Sequence, residues 1–195
     1  LLGEEQSGQI QAIGFALYND LLARAVTLLQ EGNELELEPQ LKHGAEIEIG
    51  LPALFPESYM PDVHMRLVHY KRIANAGSEE ALRELQVELI NRFGLLPPPA
   101  RTLFELTRLK LIAQSLGIKK IRAGDTGATC EFEENAVIDP IHLVGLVEDD
   151  PVSFRLDGPF KLRIKWALNS DEERPAAVSK LLTRLGATDQ DSAAA

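Results

Sequence analysis

Cysteine is nearly absent from this sequence, and histidine is sparse. Cys130 is the single cysteine among 195 residues, so an internal disulfide framework is excluded. The four histidines, His43, His64, His69 and His142, are scattered and lack the spacing of a metal site. His64 and His69 stand five residues apart on a predicted helix, where their side chains point about 140° apart. We therefore expect no metal site, and we expect a reducing compartment, the cytoplasm.

Long apolar runs are also missing. No run approaches the roughly 18 residues that cross a bilayer, and no charged-then-apolar stretch with a small-residue cleavage site stands at the start. The hydrophobic fraction of 45% is ordinary for a globular protein. We expect a soluble protein with no membrane partner.

Catalytic motifs are the third absence. The sequence has no Gly-rich phosphate loop ending in Lys-Ser/Thr, no H-E-x-x-H and no G-x-S-x-G. The stretch "GDTGAT" is predicted to be a hairpin turn, because no helix start follows it as a nucleotide cradle would need. We expect no catalytic residue and no cofactor in this chain.

Basic side chains are scarce in the first third. Residues 1–60 hold ten acidic side chains against Arg24 and Lys42, and the whole chain has a net charge of −10. Phosphate neutralisation dominates nucleic-acid affinity, so an anionic chain is a poor nucleic-acid binder by itself.

The N-terminal part predicts a helix and an acidic linker. Apolar residues recur at helical spacing from Ile13 to Gln30, which indicates one long amphipathic helix. Acidic and aliphatic residues then alternate, with Ile47 and Ile49 on one side, as in a half-buried strand. The linker before this strand is the predicted domain boundary.

Three consecutive helices follow. Asp62 is a plausible N-cap of the first, which ends at Gly77, and Ser78 caps the second, which ends at Gly94. A third helix is predicted from about Ala100 to Leu116. Because the connections between these helices are short, we expect the helices to pack together as a small cluster.

The remainder alternates strands and helices. Two strands flank the Gly-Asp-Thr-Gly turn, a short helix follows, two strands join at Asp157-Gly158-Pro159, and a helix runs from about Asp171 to Leu185. The fold class is predicted to be α+β: a helical cluster packed with a small, mostly antiparallel sheet, preceded by the long N-terminal helix.

The second predicted helix has a line of polar side chains opposite its apolar stripe. Its members recur at spacings of four, four and three: Glu80, Glu84, Glu88 and Asn91. An ordinary solvated face explains this pattern, and a docking strip for an arginine-bearing surface is the sharper alternative.

Basic residues form two groups. In the last predicted strand Lys161, Arg163 and Lys165 alternate with apolar residues, which favours a solvated sheet face over a nucleic-acid groove. The second group is Arg101, Arg108, Lys110, Lys119, Lys120 and Arg122. A surface ion ladder through Glu105 explains half of this second group.

Two regions resemble a known family. "LLGEEQSGQIQAIGFALYNDLLARAV" is similar to the end of the translocase region shared by bacterial transcription-repair coupling factors (Mfd) and RecG, whose Gly-x-x-Gln-Ser-Gly loop matches Gly3, Gln6, Ser7 and Gly8. The segments "LPALFPESYMPDVHMRLVHYKRIANA", "ELINRFGLLPPPARTLFELTRLKLIAQSLGI" and "FRLDGP" resemble the C-terminal domain that distinguishes coupling factors from RecG.

The resemblance implies a division of the chain and a regulatory function. Residues 1–44 would be a remnant of the translocase region, residues 45–187 the C-terminal regulatory domain, and residues 188–195 a disordered tail. In this family the domain packs on the N-terminal repair module that recruits UvrA and masks it until RNA polymerase is engaged. The whole protein would use ATP and Mg²⁺ to move on duplex DNA.

For the interdomain contact we expect Glu88, with Glu84 and Asn91 beside it, to face arginines; the resemblance suggests that relatives often carry an acid where Asn91 stands. The alternative function is a nucleic-acid-binding accessory module that uses Lys161, Arg163 and Lys165.

Overall fold

The computed structural model describes residues 44–186, and their fold is α+β as predicted. The elements are β1 (Glu46–Glu48), α1 (Val63–Ala74), α2 (Glu79–Phe93), α3 (Pro98–Ser115), β2 (Ile118–Gly124), β3 (Gly127–Phe132), α4 (Pro140–Asp149), β4 (Phe154–Leu156), β5 (Lys161–Lys165), a 3₁₀ turn (Asp171–Glu173) and α5 (Arg174–Gly186). The loop motif at Gly3, Gln6, Ser7 and Gly8, the helix at 13–30 and the tail at 188–195 lie outside the described residues.

Five strands form one sheet in the order β1-β2-β3-β5-β4. The pair β1–β2 is parallel, with Ile47 opposite Ile121, and the other three pairs are antiparallel. The Gly-Asp-Thr-Gly stretch turns the β2–β3 hairpin, which confirms that prediction. Gly127 has φ 155°, and a Cβ there would lie 2.2 Å from the Ile164 oxygen, so a larger residue would displace β5.

The predicted caps are formed. The Asp62 side chain accepts a hydrogen bond from the Met65 amide at 2.9 Å, and the Ser78 hydroxyl accepts one from the Ala81 amide at 3.1 Å. Two predicted helix starts need correction. Helix α3 begins at Pro98, because proline fits the first turn, where no amide donor is needed. Helix α5 begins at Arg174, after the 3₁₀ turn.

Two hydrophobic cores share helix α3. The first lies among α1, α2 and the N-terminal half of α3 and includes Ile73, Leu89 and Leu103. The second lies between the sheet and the helices α3 and α5 and includes Leu109 and Leu182. We call the helices around the first core the helical lobe, and this lobe is the small helical cluster that the sequence predicts.

Within residues 44–186 no helix is long and apolar enough to cross a bilayer, and no three His, Cys, Asp or Glu side chains converge as metal ligands would. Cys130 is buried in β3, and burial raises the pKa of its thiol to about 12.

Candidate docking surface

Helix α2 presents its polar line to solvent. The helix buries Leu82 and Leu89 against the helical lobe, and the opposite side is therefore outward. The outward residues are all exposed: Glu80, Glu84, Val87, Glu88 and Asn91. Val87, 51% exposed, adds an apolar side chain to this otherwise polar line. We call these five residues the α2 surface.

Glu88 already has a partner within the fold. Arg72, in the last turn of α1, donates from Nη1 to Oε1 of Glu88 at 2.7 Å and from Nη2 to Oε2 at 2.6 Å. Two parallel bonds between a planar guanidinium and a carboxylate form a fork. This fork lowers the pKa of Glu88, chiefly through the hydrogen bond from Arg72. Both side chains remain reachable from solvent, at 42% and 44% exposed.

His69, which is on α1 three residues before Arg72, packs against aromatic rings. His69 is only 4% exposed, and its ring meets Phe93 edge-on with centroids 6.1 Å apart and Phe55 at 6.5 Å. Its Nδ1 has no hydrogen-bond partner in the described part of the chain. Burial lowers the pKa of His69, the positive charge of Arg72 adds to that effect, and Glu88 opposes it. His69 is therefore a packed, neutral histidine at neutral pH.

A second cation, Arg92, lies over the ring of Phe93. Its guanidinium carbon lies 5.2 Å from the centre of the Phe93 ring, a distance suited to a cation–π contact. The surface around Glu88 consequently contains cations from two helices, Arg72 and Arg92, as well as the predicted carboxylates. The sequence pattern on α2 alone gave no sign of Arg72.

Glu84 and Asn91 differ from Glu88. Neither side chain forms an ion pair or hydrogen bond with another residue in the range 44–186. Their polar groups are thus available to a partner without prior rearrangement. The structure brings Glu84, Glu88 and Asn91 to one exposed helix face, as the spacing predicted, but the three are not equivalent.

The predicted basic strand face is present, with a mixed charge. Leu162 and Ile164 are buried while Arg163 and Lys165 are exposed, as alternation requires. Lys161 Nζ lies 3.1 Å from Glu131 Oε1. Arg163 Nη2 lies 2.7 Å from Asp157 Oδ2. Two of the three predicted cations are therefore paired with carboxylates.

The same mixture continues across the sheet. Lys120 Nζ lies 2.7 Å from Glu46 Oε2 and 2.8 Å from Glu48 Oε1. Arg122 Nε lies 2.7 Å from Glu48 Oε2. The hydrogen bond from Lys120 lowers the pKa of Glu48 most, and the contact with Arg122 lowers it further. This sheet face pairs opposite charges and does not form a continuous cationic track.

The second basic group is divided between elements. Arg108 on α3 donates to Glu105 at 2.7 Å, which is one of the two pairs of the predicted ion ladder, and also donates to the Ser179 hydroxyl at 3.1 Å. Lys120 and Arg122 lie on β2 instead. A groove of about 630 Å³ beside Arg108 and Arg101 also contains Glu79, so its charges are mixed.

The comparisons with known proteins agree with one another. The TRCF domain matches residues 49–143. The chain is similar to the transcription-repair-coupling factor of Escherichia coli (strain K12), with 45% identity over 95% of the chain. It has the same identity, over 96% of the chain, to that of Haemophilus influenzae. In both cases it spans only 16% of the relative's length.

The fold also resembles a solved structure, a crystal structure of the C-terminal domain of transcription-repair coupling factor. The TM-score is 0.58 at 20% identity, and the alignment covers 75% of this chain and 98% of that one. This similarity supports the α+β arrangement, and the sequence matches support the family. The chain therefore carries a TRCF domain and belongs to the transcription-repair coupling factors.

Proposed function

We propose that this chain is the regulatory, autoinhibitory part of a coupling factor that acts in transcription-coupled DNA repair. It docks on the N-terminal module that recruits UvrA and masks that module until RNA polymerase is engaged. ATP and Mg²⁺ binding and movement on duplex DNA belong to other parts of the protein. The chain itself contributes a surface and no catalytic group.

One observation carries this proposal. Helix α2 places Glu84, Glu88 and Asn91 close to the exposed Val87 on the outward side of the helix. An apolar centre with hydrogen-bonding groups around it suits docking to a protein surface. The complementary partner presents arginines, because a guanidinium pairs with a carboxylate in two parallel bonds and lysine does not.

The expected strength fits a reversible contact. A charge-assisted hydrogen bond that is partly desolvated at an interface contributes roughly 1.5–3 kcal/mol. The same pair left exposed contributes less than about 1 kcal/mol. Contacts of this size hold two domains together and still separate when another state of the protein is favoured.

The alternative, a nucleic-acid-binding accessory module, has less support. It would use Lys161, Arg163 and Lys165, and Glu131 and Asp157 already pair with two of these cations. The acids would repel phosphates at the same place.

A competition experiment tests the docking proposal. The purified chain is mixed with the N-terminal module of the coupling factor, and binding of UvrA to that module is measured as the chain is added. We expect the chain to displace UvrA in a saturable manner. If UvrA binding to the module is unchanged at high micromolar chain, while circular dichroism shows the chain folded, docking between these two parts is ruled out.

A further inference from the structure

We infer that Arg72 limits the docking of the α2 surface by competing with the partner's arginine for Glu88. This inference rests on the proposed function, since it concerns the same surface. Its starting point is that both oxygens of Glu88 already accept hydrogen bonds within the fold, at 2.7 and 2.6 Å.

The geometry of a carboxylate makes this a competition. An ionised carboxylate has two oxygens with about four lone-pair positions. A fork from one guanidinium occupies one edge of the group through both oxygens. A second guanidinium reaches Glu88 in the same way only after Arg72 has left. Docking at this residue is therefore an exchange, in which one fork is lost and a similar one is gained.

Arg72 is placed so that it can leave. It lies in the last turn of α1 beside Lys71, and 42% of its side chain is exposed. The C-terminal end of a helix carries the negative end of the dipole, which favours a cation there with or without Glu88. His69 is buried and Phe93 is partly buried against the helical core, so neither ring needs to move when Arg72 leaves.

The exchange also sharpens the choice of partner. A lysine ammonium is a compact point charge and does not satisfy both oxygens in one plane as a guanidinium does. At a vacant carboxylate such as Glu84 either cation gains a contact. At Glu88 only an arginine replaces what Arg72 already provides, so Glu88 selects arginine over lysine more strongly than Glu84 does.

Binding of the purified N-terminal module to the chain tests this inference by isothermal titration. Removing the competitor in Arg72→Ala should lower the Kd at least threefold, whereas Glu88→Ala should raise it. In the Glu88→Ala background, Arg72→Ala should have no further effect, because nothing remains to compete for. Arg72→Lys keeps the charge, loses the fork, and should lower the Kd by a smaller factor.

Lys71→Ala is the matched control, since it removes the same charge from the same turn of α1 without touching Glu88. An equal gain from Lys71→Ala and Arg72→Ala would show a general charge effect and overturn the inference. So would a higher Kd for Arg72→Ala and Arg72→Lys with preserved melting temperatures. Either result, with Glu88→Ala still weakening binding, leaves the proposed function standing. No binding by the wild-type chain, or no effect of Glu84→Ala and Glu88→Ala together, contradicts the proposed function itself.

Discussion

Arg174 donates a hydrogen bond from Nη1 to the main-chain oxygen of Ile49 at 2.7 Å and so joins the start of α5 to the segment after β1. Its Nε donates to Asp125 Oδ1 in the β2–β3 turn at 2.9 Å. One side chain, 16% exposed, thus joins three parts of the chain that are far apart in sequence.

Replacing Arg174 should destabilise the fold. Arg174→Ala removes both bonds and leaves the main-chain oxygen of the buried Ile49 without this donor, so we expect a loss of about 1–3 kcal/mol in the free energy of unfolding. Arg174→Lys should recover only part of the lost free energy of unfolding, since an ammonium does not donate in both of the directions that the guanidinium uses. Urea denaturation measures this, with the exposed Lys180→Ala on the same helix as control. A loss no larger than that of Lys180→Ala would contradict this account of Arg174.

The thiol of Cys130 should be unreactive in the folded protein. It lies in the sheet core, and burial raises the pKa of the thiol to about 12, so the reactive thiolate is scarce at neutral pH. With a colourimetric disulfide reagent at pH 8, we expect labelling at the rate of global unfolding and acceleration by urea. Rapid stoichiometric labelling of the native protein would show that β3 opens locally.

Stability should fall between pH 7.5 and 5.5 because of His69. An unfolded histidine has a pKa near 6.5, and burial lowers the pKa of His69 in the folded state, so the unfolded state binds more protons in this window. Folding stability is therefore complete above about pH 6.5 and is lost as the pH falls towards the folded pKa. Arg72 and Arg92 strengthen this trend and Glu88 opposes it.

The test for His69 compares urea unfolding of the wild type and His69→Leu at both pH values. We expect the pH dependence to be smaller in His69→Leu, whose side chain does not titrate. His64→Leu, at an exposed histidine of the same helix, serves as the matched control. If the free energy of unfolding depended equally on pH in all three proteins, His69 would be protonated in the folded state without a loss of stability.

The chain should bind duplex DNA weakly. The net charge is −10, and the face of Lys161, Arg163 and Lys165 is partly neutralised by Glu131 and Asp157. We expect no submicromolar binding to a 20-base-pair duplex at physiological salt, measured by fluorescence anisotropy. Submicromolar binding that falls steeply with salt and is lost in Arg163→Glu would support the nucleic-acid alternative.

Local signals in the sequence predicted the caps and turns well, because they act over a few residues. Asp62 and Ser78 cap the helices that they precede, and the Gly-Asp-Thr-Gly stretch turns a hairpin. Alternation predicted which side of β5 is buried, since successive strand residues point to opposite faces. The parallel pairing of β1 with β2 was outside the reach of such signals.

Pairings between elements were not predictable for a physical reason. The fork between Arg72 and Glu88 depends on the angle and offset of α1 against α2, which the spacing within either helix does not determine. The contact of Lys161 with Glu131 depends on the register of β3 against β5. The sequence therefore predicted an exposed carboxylate line and a cationic face, but not that Glu88 and Lys161 already have partners.

We propose that the α2 surface masks the UvrA-recruiting module, and the UvrA affinity of the intact coupling factor measures this masking. Glu84→Ala with Glu88→Ala removes two exposed carboxylates outside the core, and Glu148→Ala with Asp149→Ala on α4 removes the same charge elsewhere. We expect the first double variant to bind UvrA about tenfold more tightly, with its melting temperature preserved, and the second to bind as the wild type does. Unchanged UvrA affinity in the Glu84 and Glu88 double variant, with the fold intact, would contradict it.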